Sequence, residues 1–366
     1  NMRLTKLFEY DNLDKAKANI LDQIAGLDVT DEDQIKLLDK IFRILNSEQS
    51  STTINAAFGN PKTGPLADED WSDSVTQGHI LNVAKIISDI DTDYNSLMGF
   101  LKKLEKGKAL DVSVFDKKES TFSELCYGDP IAIKVLQSLM MYGKDKKRAG
   151  AGEFALAMLS PKIKMAPGEG DLVINGGTVE LKAETTSGGG RMGTNGPPRD
   201  AQIKVLQKYA EHIPEIIAAF PDGIKGKSAN VSVFVKDYLD KYLPVGGKSP
   251  AGGNNTQIRQ AIGTEIFDLT FGKPYADIMG KAFGQPNPTV SKNAMITQNY
   301  EWYKARDNFS LFVVMSFKSE RLTMIRKGEE MAEAFANGSL SGGSASFIHS
   351  GQPSECFAQM NIPYAK

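Results

Sequence analysis

The chain has 366 residues, 41% hydrophobic and 24% charged, with a formal net charge of −2. That is enough apolar content for a buried core in one large or two ordinary domains; near-neutral charge excludes a broadly basic nucleic-acid coat while allowing a local basic cleft. Two cysteines far apart, Cys126 and Cys356, and three isolated histidines, His79, His212 and His349, exclude a disulfide framework, a zinc cluster and an HExxH site.

The first part of the chain reads as helical. Leu13, Ala16, Ile20, Leu21 and Ile24 fall near helical spacing, and TDEDQIKLLDKIFRILNSE opens with Thr30 and Asp31 as capping residues. A Ser-, Thr-, Gly- and Pro-containing loop follows, and helical pattern resumes in GHILNVAKIISDID and YNSLMGFLKKLEKGKAL. Residues 1–125 are therefore expected to form a helical region for DNA binding, assembly or partner docking, three roles between which the sequence does not choose. The opening, NMRLTKLFEYDNLDK, turns polar too early for a signal peptide. No apolar run approaches the roughly 18–20 residues that cross a bilayer. A cytoplasmic setting with no membrane partner is the expectation.

Character changes after residue 125. DPIAIKVLQSLMMYG predicts an apolar helix, and it is followed by the basic run KDKKR (144–148) and by AGAGEFALAMLSP. Then come GEGDLVINGGTVELKAE (168–184), a glycine-rich stretch, the helix AQIKVLQKYAEHIPEIIAAF and, much later, the strand-like DNFSLFVVMSFKSERLTMI. In the last of these Phe309, Leu311, Phe312, Val313, Val314 and Phe317 suit a buried strand. Helix, hairpin, helix and later strand indicate an α/β or α+β domain over 126–366, and α/β is the expected fold class.

The hairpin carries the chemistry. Asn-Gly is a strong turn signal, because both turn residues must accept positive φ. A two-residue turn at Asn175-Gly176 sets Asp171 opposite Glu180; one at Gly176-Gly177 sets it opposite Lys182. Period-two alternation keeps Glu180 and Lys182 on one face and Leu181 on the other. Either turn gathers Asp171, Glu180 and Lys182, whereas a three-residue loop breaks the cluster. Facing acids repel unless a positive charge lies between them, and hard carboxylate oxygens suit Mg²⁺. A metal there neutralises a scissile phosphate and acidifies a water, and a neighbouring lysine holds that water or the developing charge. The plain alternative is a solvated hairpin with an Asp–Lys pair worth about 0.2–1 kcal/mol.

The ordered set Glu153, Asp171, Glu180-Leu181-Lys182 resembles the PD-(D/E)xK nuclease superfamily. Its signature is an acid at the start of one strand, an acid-x-Lys on the next, and a glutamate on the preceding helix. Gly170 stands where that pattern has proline. The resemblance covers about 150–205 and implies a restriction-endonuclease-like mixed β-sheet flanked by helices. It implies that Asp171 and Glu180 bind Mg²⁺, for which Mn²⁺ substitutes, with the Leu181 carbonyl. Lys182 would position or activate the water, and Glu153 would support the metal or a second one. The implied reaction is hydrolysis of DNA phosphodiesters, of restriction or phage DNA-processing type. Cutting both strands of a duplex is compatible with a homodimer, which no residue pattern demonstrates.

Arg191 in GGGRMGTNGPPR is expected to meet a DNA phosphate, with Arg199 and Lys204 weaker candidates. Gln202 and Tyr209 lack the Q-x-x-x-Y spacing of the RecB-like branch. VGGKSPAGG fails as a phosphate loop, since the glycine required five residues before Gly247 is Tyr242, so no nucleotide cofactor is expected. Glu184 continues the face of Lys182, as a further ligand or a solvated charge. The rival readings are a catalytically inactive DNA-binding or virion structural protein that retains the fold, and a nuclease acting on RNA.

Overall fold

The structure, a computed structural model, describes residues 86–87, 90–92, 94–143, 150–166, 170–184, 190–195, 199–340, 345–349 and 357–362. In chain order, helix α1 (Tyr94–Glu105) leads to strand β1 (Glu119–Thr121), α2 (Pro130–Gly143) and α3 (Ala151–Leu159). Strands β2 (Ile163–Met165), β3 (Leu172–Ile174), β4 (Gly177–Glu184) and β5 (Gly190–Asn195) follow. Then come α4 (Arg199–Lys208), α5 (Asn255–Phe271), α6 (Lys273–Phe283) and α7 (Pro288–Asp307). The chain continues through β6 (Leu311–Ser316), β7 (Arg321–Ile325), α8 (Gly328–Ala336), β8 (Ala345–His349) and β9 (Phe357–Ile362).

Six strands form one mixed sheet in the order β1-β7-β6-β4-β3-β2. β4 and β6 run parallel, while the other neighbours are antiparallel. A parallel pair needs a crossover connection, and here α4 to α7 supply it. Strand β6 is buried at all six positions. Leu311, Val313 and Met315 join one core with residues of α1, α2 and α3, such as Phe100, Leu136 and Phe154. Phe312 and Val314 join a second core with Phe267, Tyr300 and Tyr303 from α5 and α7. Helices on both faces explain why this strand reads as an unbroken apolar run rather than an alternating one. A smaller sheet, β5-β9-β8, pairs the glycine-rich strand after the hairpin with the last two strands.

Of the helical region expected over 1–125, residues 1–85 lie outside the described residues. The part that is described packs into the first core, and β1 is an edge strand of the main sheet. The basic run 144–148 also lies outside the described residues. Among the described residues, no helix is long and apolar enough to cross a membrane.

Candidate active site

Ile174 pairs with Gly177, so the hairpin turns on Asn175 and Gly176. Their φ values of 52° and 80° are what a type I′ turn demands. Of the two registers open to the sequence, this is the one whose continuation points Asp171 toward Glu180, although the regular pairing ends at Leu172 with Val179. At Asp171 the ladder changes character. Its amide donates to the Val179 carbonyl at 2.9 Å and its own carbonyl accepts from the Ala166 amide at 3.1 Å. Its carboxylate Oδ2 accepts the Leu181 amide at 2.7 Å. A side chain thereby satisfies a donor that a longer β3 would have paired. Because a strand residue points its N–H and C=O toward the same neighbour, the Leu181 carbonyl faces that edge too. The preceding Gly170 has φ +76°, which proline cannot adopt; glycine in place of the pattern's proline goes with a different local backbone.

Glu153 comes from α3. Its Oε2 accepts the Gly150 amide at 2.8 Å, capping its own helix. The helix sits close behind β4 because Gly152 has no side chain there: a Cβ on it would lie 2.8 Å from both Ala183 Cβ and Leu181 Cδ2. This close approach brings Glu153 within electrostatic reach of Asp171, Glu180 and Lys182.

Glu180 and Lys182 lie in parallel register with Phe312 and Val314 and so share the face covered by α7. Glu180 is 4% exposed, and a buried carboxylate is costly unless it is bonded. It accepts from the Lys182 ammonium and from Tyr303 Oη at 2.7 Å. Lys182 Nζ is also 3.9 Å from Asp171 Oδ2. The positive charge between the two acids is thus the ammonium of Lys182.

The electrostatics follow from three carboxylates sharing a half-buried space. Burial, then the charge of Asp171, pushes Glu153 up to about 7. Burial and the charge of Glu180 push Asp171 up to about 6, against the pull of Lys182 and the Leu181 amide. Burial lowers Lys182, but Glu180, Asp171 and Glu153 together outweigh it and hold the amine above its ordinary value. Burial and Glu180 drive the Tyr303 hydroxyl well above the usual phenol range, so it remains a donor.

Two carboxylates, a third behind them and an adjacent carbonyl are hard oxygen donors whose crowding a divalent cation relieves, so the donor chemistry fits Mg²⁺. Among the described residues, no three His, Cys, Asp or Glu side chains already stand as a preformed metal cage; Lys182 takes up the space between Asp171 and Glu180.

The remaining sequence candidates are dispersed. Arg191 occupies β5 opposite Asn361 and Arg199 opens α4; their side chains lie outside the described part of the chain. Lys204 is exposed on α4. Glu184 is buried, accepting from Ser316 Oγ at 2.7 Å with Lys318 Nζ at 3.5 Å, so it is neither solvated nor bonded to the cluster. Sequence reasoning missed Tyr303, which sits on a helix 123 residues after Glu180 and carries no spacing that distinguishes it from a core aromatic.

No protein-family model, curated protein or solved structure matches the chain.

Proposed function

We propose that the chain is a Mg²⁺-dependent DNA endonuclease with a restriction-endonuclease-like domain, hydrolysing phosphodiester bonds in restriction or phage DNA processing. The observation that carries this reading is the meeting of Glu153, Asp171, Glu180 and Lys182. They come from one helix, one strand and the residue that precedes β3, and share one electrostatic cluster. A solvated hairpin has no need of a glutamate delivered from behind by a glycine-backed helix, nor of a buried tyrosine bonded to its acid.

Asp171 and Glu180 would hold the metal, with the Leu181 carbonyl beside them and Glu153 behind. Bound there, Mg²⁺ supplies charge neutralisation at the scissile phosphate and a more acidic water. Lys182, kept protonated by its carboxylate neighbours, acts as a donor: it orients the attacking water and offsets charge that develops on the phosphate oxygens. Tyr303 holds one oxygen of Glu180 and so fixes the direction of the other, the part that outer-sphere hydrogen bonds play at metal sites.

The test is cleavage of supercoiled plasmid, single-stranded DNA and matched RNA in Mg²⁺, Mn²⁺ or EDTA. Metal-dependent loss of the DNA substrates is expected. Faster cleavage of RNA would move the reading to a ribonuclease. Absence of cleavage with either metal would leave an inactive binding or virion protein on this fold.

A further inference from the structure

The carboxylate cluster repels a polyanion, so a nucleic-acid strand can approach only where cations flank it. One is Lys182, and helix α7 supplies another. Arg306 lies one turn beyond Tyr303 with its side chain 37% exposed. Its guanidinium carbon is 4.6 Å from the centroid of the Tyr303 ring and 4.9 Å from that of Trp302. Nε and Nη2 donate to the two carboxylate oxygens of Asp307 at 2.5 and 2.6 Å. Trp302 is itself braced edge-on against Phe271, 5.3 Å between centroids. The Tyr303 ring bridges the two regions, with its hydroxyl on Glu180 and the Lys182 ammonium 5.9 Å from its centroid.

A guanidinium has five N–H donors in a planar fork. Asp307 takes two of them, leaving both on Nη1 and one on Nη2 without a partner among the described residues. The free edge is that of a cation whose orientation is already fixed by two rings and a carboxylate. Ordering an arginine is a large part of what binding through it costs, and here the protein has done so beforehand. A planar fork with a free edge is matched to two oxygens of a phosphate.

We propose that Arg306 is a phosphate-binding residue whose Nη1 edge takes a backbone phosphodiester flanking the one at the carboxylates. The identity of the strand as DNA rests on the nuclease reading; the presence of an anion site on α7 does not.

The experiment uses the full chain in EDTA and measures the affinity of fluorescein-labelled single-stranded and duplex DNA by anisotropy over a range of salt. Arg306→Ala should weaken binding about tenfold and reduce the slope of log affinity against log salt by about 0.7–0.9, the release expected for one lost phosphate contact. Arg306→Lys, which keeps the charge but not the fork, should retain the slope and lose part of the affinity. Equal circular dichroism and unfolding midpoints show that the variants are folded. In Mg²⁺, Arg306→Ala should raise KM with kcat within about twofold of wild type. An unchanged slope and KM in Arg306→Ala, or no binding by the wild type at low salt, overturns the inference. Arg306-dependent binding without metal-dependent cleavage leaves the inference standing and removes the nuclease reading alone.

Discussion

Neutralising Glu153 should make the protein more stable while abolishing the activity proposed for it. Glu153→Gln keeps the length of the side chain and an oxygen to accept the Gly150 amide, so the helix cap survives. What it removes is a charge held beside Asp171. Raising a carboxyl from 4.5 to about 7 corresponds to about 3 kcal/mol, at roughly 1.36 kcal/mol per tenfold change in proton affinity. Because the folded state binds the proton more tightly, the penalty is absent below pH 4.5, grows as the pH rises toward 7 and is complete above it. A buried amide has a desolvation cost of its own, so the expected gain at pH 8 is about 1–3 kcal/mol, falling below about 1 kcal/mol at pH 5. Urea unfolding of both proteins in EDTA at the two pH values measures it. A gain of equal size at pH 5 and pH 8, or a loss at pH 8, would refute the crowding argument.

The same titrations should give the proposed cleavage a rising limb, because Asp171 and Glu153 must be ionised to hold the proposed cation. Activity at limiting Mg²⁺ should fall as the pH drops through about 7 and then about 6, and a saturating metal concentration should move the limb to lower pH. A pH profile at two Mg²⁺ concentrations checks this, and a profile independent of metal contradicts it. Tyr303→Phe leaves Glu180 short of one buried donor and should cost about 10–100-fold in activity or in apparent Mg²⁺ affinity, read from a Mg²⁺ titration of the cleavage rate. An unchanged titration would make Tyr303 a packing residue only. Gly152→Val forces a side chain against Ala183 and Leu181 and should destabilise by about 1–3 kcal/mol, seen as a lower urea midpoint.

Local chemistry explains what could be read from the sequence. Asn175-Gly176-Gly177 marks the hairpin, and either two-residue turn within it puts Asp171, Glu180 and Lys182 on one face. The apolar run at 311–316 announces a strand covered on both sides. The sequence alone does not choose between the two turns, because Gly177 also tolerates positive φ; the pairing of Ile174 with Gly177 does. Neither the Tyr303 contact nor the Arg306 stack beside it is legible in sequence spacing. Tyr303 reaches Glu180 only because β6 returns parallel to β4 and lays α7 over that face, a long-range consequence of topology. Glu184 shows the limit of alternation: it shares strand and parity with Lys182, yet Ser316 and Lys318, from the neighbouring strand and the residues after it, claim its carboxylate.

The measurement that bears most directly on the central claim is single-turnover cleavage of plasmid DNA by the wild type and Lys182→Ala, in Mg²⁺ and in EDTA, with unfolding curves showing both folded. Cutting that requires the metal and falls by at least about 10²-fold in the variant, the scale of losing one group that stabilises developing charge, is the predicted result. Equal cutting by the two proteins, or cutting that persists in EDTA, would contradict a nuclease site built on this hairpin.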